Sequence, residues 1–167
     1  MGYDVIRTDR MFGTDNRAGL VSVKYMGSGY TATAIDNGNV VKLNGLMDGE
    51  REVYKGVTPA ANSALNEIAI IATPEVMYDE RKRNLDEFQN EAGKIARAYR
   101  PHSGDIFSVT KDALDGAETP AVGNIVELKA GIKLNVAASA TNGSTKLGSV
   151  IAIDNVGRYT YYVIQVD

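Results

Sequence analysis

From Leu20 onward the chain is a series of short apolar runs separated by glycine, asparagine and aspartate, and this punctuation most restricts its fold. Runs this short cannot make helices that bury a face. They suit strands, where β-branched and aromatic side chains pack on a pleated surface. Leu20 to Tyr25 alternates, and Tyr30 to Ile35 is rich in Thr and aromatic character. Asp36-Asn37-Gly38-Asn39 carries turn chemistry, because Asn and Gly tolerate positive φ, and Val40 to Leu43 is its return strand. Glu52 to Val57 is another candidate. Glu67 to Ala72 is the most apolar run; it is Ile-rich and stops at Thr73-Pro74, which predicts a buried strand. Lys94 to Tyr99, Asp105 to Thr110, Asn124 to Leu128, Ile132 to Ala138, Lys146 to Ile153 and Arg158 to Val166 follow. In 105–110, alternation puts Ile106, Ser108 and Thr110 on one face and Phe107 and Val109 on the other. Lys111 to Gly116 reads as a single turn closed by glycine. The expectation is a mainly β fold with little helix, a small antiparallel β-barrel or sandwich; closure would remove edges prone to aggregation.

Two segments depart from this pattern. Tyr3 to Gly19 mixes charges with isolated apolar residues and shows no period, so it reads either as a frayed terminus or as an arm anchored on a neighbour. The expected organisation is an extended N-terminal arm, 1–19, and a β-rich globular domain, 20–167, built as one unit or as two lobes, 20–92 and 93–167. The second segment, Glu75 to Arg100, holds six acidic and six basic residues. Asn84 to Phe88 can form one helical turn with Asn84 at its N-cap, placing Leu85 and Phe88 on one side. A long loop with its own packed piece is often functional, although solvated surface has the same composition.

The 167 residues suffice for one domain that removes roughly 70% of the unfolded surface from water, so no metal or disulfide is needed for stability. The chain has no cysteine, which excludes thiolate zinc sites and cysteine nucleophiles. A net charge of −3 argues against a general nucleic-acid binder. Neither a signal-peptide core nor an apolar run of membrane-spanning length is visible, so synthesis and folding in the cytoplasm are expected, with no membrane partner.

A search for reactive groups finds little. His102, the single histidine, lies in the turn Pro101-His102-Ser103-Gly104-Asp105; adjacent His and Ser rarely converge, and one His with one Asp leaves a metal shell incomplete. Gly27-Ser28-Gly29 lacks the rest of a dinucleotide fingerprint, and no phosphate-binding loop occurs. Asn142-Gly143-Ser144 reads as a turn. Carboxylate neighbours such as Glu50 with Glu52, or Asp86 with Glu87, are too common to imply acid–base chemistry. The expectation is no catalytic residue, no cofactor and no metal. Nine Tyr against three Phe and no Trp is the unusual feature, with Tyr159, Tyr161 and Tyr162 together in the last strand; Tyr suits half-wet interfaces as well as barrel rims.

Three stretches carry a resemblance: LNGLMDGEREVYK (Leu43 to Lys55), PEVMYDERKRNLDEFQNEAGKIARAYRPHSGDIFSVTKDAL (Pro74 to Leu114), and the half beginning PAVGNIVEL at Pro120 and ending RYTYYVIQV. Together, over Leu43 to Val166, they resemble small capsid decoration or minor head proteins of tailed bacteriophages of Gram-positive hosts. The resemblance implies a non-enzymatic virion protein on the outer capsid surface, partnered by the major capsid protein and forming a homo-oligomer, with a trimer favoured. In that setting the arm would run along the shell and the charged loop would dock between capsomers. Tyr3, Ile6, Phe12, Tyr78 and Phe88 would then be anchors, with Arg81 and Arg83 pairing to carboxylates. The rival roles are another virion subunit of tail-tube, connector or major-capsid type, and a carbohydrate-binding adhesin using the Tyr-rich strand; the missing Trp weighs against the latter.

Overall fold

The computed structural model describes residues 2–167. Five strands close a small barrel: β2 (Leu20–Tyr25), β3 (Val40–Leu46), β4 (Val53–Val57), β5 (Ile68–Ile71) and β6 (Ala96–Tyr99), in the order β2-β4-β3-β5-β6. All neighbours are antiparallel except β2 and β4. A five-stranded barrel has a narrow interior, and the sequence fills it with small or slim side chains. Val23, Val41, Ala69, Ile71, Ala96 and Ala98 form this inner cluster with Tyr25 and Ile35. At Gly56 a Cβ would come within 2.5 Å of a Val23 methyl, so only glycine fits there.

The remaining strands form one seven-stranded sheet. In chain order they are β1 (Ile6–Arg10), β7 (Ile106–Thr110), β8 (Leu114–Gly116), β9 (Ile125–Glu127), β10 (Leu134–Ala137), β11 (Lys146–Val156) and β12 (Tyr159–Val166). Across the sheet the order is β1-β7-β12-β11-β9-β10-β8, with β8 and β10 the parallel pair. The alternation read from 105–110 holds: Phe107 and Val109 enter the core, while Ser108 hydrogen-bonds Asp9 and Arg7 on the other face.

The sheet packs against the barrel through β5. Ile68 and Ile70 join Val40 in the larger cluster with Phe107, Leu134 and Ile164. Ala69 and Ile71 face the barrel interior. Both faces of β5 are therefore buried, which explains why Glu67 to Ala72 shows a continuous apolar run rather than alternation. Fully burying each isoleucine contributes roughly 1.5–3 kcal/mol before entropy is counted. The turn at Asn37 to Asn39 lies in the same joint. Gly38 has φ 85°, and a Cβ there would meet the Ala113 Cβ at 3.1 Å.

Several expectations change. The N-terminal segment does not reach out as an extended arm: it is folded onto its own chain, with a strand followed by a one-turn helix, Phe12–Asp15, and a 3-10 turn, Arg17–Gly19. Val5 and Ile6 are buried, β1 pairs with β7, and the Val5 carbonyl accepts from the Thr110 N–H. The division between the two β units falls after Tyr99, because β6 completes the barrel, and residues 6–10 belong to the second unit. Tyr30 to Ile35 is not a strand: Gly29 and Tyr30 both have positive φ, which ends pairing, and only isolated bridges at Ala32 and Ile35 remain. Lys111 to Gly116 contains a 3-10 turn, Lys111–Ala113, followed by β8 rather than a turn alone.

Candidate interaction surface

The segment from Thr73 to Ile95 has no regular strand, yet it is fastened at both ends and at its apex. At the stems, the buried Asn37 amide donates to the Thr73 carbonyl (2.8 Å) and accepts from the Thr73 N–H (3.0 Å). Asn90 donates to the Asn37 Oδ1 (3.1 Å) and exchanges backbone bonds with Ile35. Gln89 donates to Asp36 at 2.7 Å. At the apex, the 3-10 turn Leu85–Glu87 has Asn84 at its N-cap, as the sequence suggests. Its stabilising contact is the Glu87 carboxylate, which accepts the N–H groups of Arg83 and Asn84 at 2.8 Å each. Those backbone donors hold the Glu87 carboxyl below its usual pKa.

Asp86 ties this apex to the sheet. Its carboxylate accepts from the Tyr159 hydroxyl (2.8 Å) and from Arg158 (3.0 Å), and its carbonyl accepts the Tyr3 N–H (2.7 Å). Burial, followed by the hydrogen bond to Asp86, raises the Tyr159 hydroxyl pKa. The role of Asp86 is not legible in the sequence. Nothing in its neighbours signals contact with residues more than seventy positions away.

Between the fastened points lies a cleft of about 410 Å³, lined by Val76, Tyr78, Lys82, Glu87, Phe88 and Lys94 among others. Tyr78 is 95% exposed at its rim. A second cleft, lined by Gly2, Tyr3, Asp86 and Arg158, shares Lys82 and Glu87 with the first. Of the residues singled out from sequence, Tyr78 and Phe88 therefore converge on one cleft, and Tyr3, partly exposed, adjoins it. Arg81 is held by its own chain, bidentate to Asp79 at 3.0 and 2.8 Å, which lowers the Asp79 pKa. Arg83 donates to the Glu80 carbonyl. Ile6 is 7% exposed and part of the core, so it is not free to anchor a partner. Phe12 stacks on the His102 ring at 4.0 Å, and its N–H donates to Asp105, so it belongs to a different part of the surface.

His102 accordingly has a local structural role. Its N–H donates to Asp105 (2.9 Å), and its Nδ1 lies 3.0 Å from the Arg100 carbonyl. Among the described residues no group of three or more His, Asp or Glu side chains is placed to hold a metal ion. The arrangement around Tyr78 offers contact area, one exposed ring and charges of both signs. No known protein family, curated protein or solved structure matches the chain.

Proposed function

We propose that this protein is a capsid decoration protein that binds the outer surface of an assembled bacteriophage head and stabilises it, acting by contact rather than catalysis. The observation that carries the reading is the loop around Tyr78: an aromatic side chain 95% exposed, on a segment fastened at both stems and at its apex. An exposed Tyr offers a partner a large apolar face with a polar end, and a fastened loop loses little entropy when that partner arrives. The resemblance of Pro74 to Leu114 to minor head proteins bears on this same segment. The mainly β fold suits a role that needs a rigid platform and no reactive group.

In this reading Tyr78 and Phe88 seat in a groove of the shell, Tyr3 extends the contact, and charges such as Lys82 and Glu87 set orientation. The partner is the major capsid protein in its assembled form. Binding the lattice and not its dissociated subunit stabilises the shell by linkage. Arrangement as a homotrimer at a threefold lattice position belongs to the same proposal.

Co-sedimentation with undecorated heads tests it. Saturable binding to heads, with none to dissociated capsid subunits, supports decoration. Assembly of the purified protein alone into rings, tubes or shells would favour the tail-tube, connector or major-capsid alternative.

A further inference from the structure

A second surface feature lies on the barrel, away from the Tyr78 loop. A cleft of about 440 Å³ is lined by four arginines, Arg17, Arg51, Arg97 and Arg100, with Glu52 as the one carboxylate. Strand register assembles it. Ser22 on β2 pairs with Arg97 on β6 and with Val53 on β4, so Arg51 and Glu52 enter just before β4, and the Arg100 N–H donates to the Gly19 carbonyl. Farther along the same strands Lys24 pairs with Lys55, which extends the positive field. These cations are largely free. Among the described residues Arg51, Arg97, Arg100, Lys24 and Lys55 have no carboxylate within ion-pair distance. Arg17 reaches Glu52 only at 3.7 Å, with both side chains more than four-fifths exposed. Arg100 is set in place by the Asn66 carbonyl (3.2 Å) and by the Tyr54 ring, 5.4 Å away.

We propose that this cleft is a docking site for a short acidic polypeptide segment, whose carboxylates are gripped by the arginine forks. Like-charged side chains crowded into one cleft repel one another and are stabilised when an anion arrives. Guanidinium groups fit carboxylates through paired, parallel hydrogen bonds, which a cluster of lysines does not offer. Four guanidinium groups in one cleft set the site apart. Elsewhere Lys42, Lys129 and Lys146 are each paired with a carboxylate, Glu67, Asp115 and Asp167. With a net charge of −3, the surface beyond the cleft carries the excess of acidic groups. A long phosphate polymer running past the cleft would meet that repulsion, whereas a short segment would not. Tyr54 is engaged by Arg100, and Tyr30 beside Lys55 is a single exposed ring, too little to hold a run of stacked bases. The inference stands apart from the decoration reading. If both hold, the segment belongs to the capsid subunit.

The test measures fluorescence anisotropy of a labelled short polyglutamate peptide, and separately of a labelled oligothymidylate of matched length, titrated with the intact protein at low and at moderate salt. The expected result is saturable, salt-sensitive binding of polyglutamate, weakened about tenfold by Arg51→Ala/Arg97→Ala and unaffected by Lys129→Ala/Lys146→Ala. Arg51→Lys/Arg97→Lys, which keeps the charge but loses the forks, falls between, and circular dichroism verifies that each variant is folded. The proposal is overturned by no binding of polyglutamate at low salt, by equal loss in the control variant, or by tighter binding of the oligothymidylate. Pelleting with heads separates the two readings. Polyglutamate binding without head binding removes the decoration reading alone, and head binding with no response of polyglutamate to Arg51→Ala/Arg97→Ala removes this one alone.

Discussion

Asp4 shows how a single buried carboxyl sets the pH response of the fold. It is 3% exposed, between the barrel and the sheet, and accepts a 2.6 Å hydrogen bond from Asn39. Burial pushes its pKa from 3.8 to about 6, against the opposing pull of Lys133 and Asn39, with Asp36 and Asp112 adding to the rise. The folded-state value lies above the unfolded one, so this group's stabilising contribution is complete below pH 3.8 and lost as pH rises through 6. The loss is about 3 kcal/mol by pH 7 and above. Thermal unfolding followed from pH 4 to 8 should show that decline, and Asp4→Asn should flatten it; an unchanged slope in the variant would contradict the assignment. Glu127 behaves in the opposite sense. It is fully buried, yet hydrogen bonds from the Thr141 N–H (3.0 Å) and the Asn135 amide (2.9 Å) outweigh burial and hold its pKa below 4.5. Its contribution is present above 4.5 and lost as pH falls through the lowered value. At Gly148 a Cβ would overlap the Gln165 carbonyl on the paired strand, so Gly148→Ala forces β11 and β12 apart. We expect it to cost roughly 1–3 kcal/mol, read from the urea midpoint.

At the scale of elements, the loop around Tyr78 is defined by its fastenings. Asp86→Ala removes the acceptor for Tyr159 and Arg158 while leaving the stems at Asn37 and Asn90 intact. Amide exchange should then quicken at residues 84–88, with overall stability lowered by only about 1 kcal/mol. If exchange there were unchanged, the apex would not depend on that contact. Tyr78→Ala makes a complementary prediction. A side chain 95% exposed contributes almost nothing to folding, so the melting temperature should not move, whereas affinity for heads should fall about thirtyfold, as for an interface anchor. Much of this level was legible from residue order. β2, β5, β7 and β12 follow from alternation or from an uninterrupted isoleucine run, and the turn at Asn84 to Phe88 from its cap chemistry. β1 was not. Ile6, with Val5 and Met11 on either side of the strand, flanks Arg7, Thr8, Asp9 and Arg10, and partners 99 to 154 positions away decide where two of those polar side chains go. Ser108 meets Asp9, and Asp154 and the Tyr161 ring, 4.1 Å from its guanidinium, hold Arg7. The arginine cleft was hidden for the same reason. Its cations stand at 17, 51, 97 and 100, and the pairing of β2 with β4 and β6 brings the segments that carry them together.

For the whole molecule, the shared strand is the main determinant of behaviour. β5 gives Ile68 and Ile70 to the core between barrel and sheet, and Ala69 and Ile71 to the barrel interior. Neither unit buries its apolar surface without the other, so unfolding should be a single cooperative transition, with Tyr fluorescence and far-UV circular dichroism coincident. Ile70→Ala should lower stability by about 2–5 kcal/mol without separating the two signals. Two resolved transitions would mean that barrel and sheet fold independently. With the N-terminal strand committed to the sheet, the surfaces proposed to meet a partner are the Tyr78 loop and the arginine cleft. The most direct measurement of the central claim is co-sedimentation of the purified protein with undecorated heads, using dissociated capsid subunits as the control and Tyr78→Ala alongside. Decoration predicts saturable binding to heads only, weakened by Tyr78→Ala. Absence of binding to heads, or equal binding to free subunits, would contradict it.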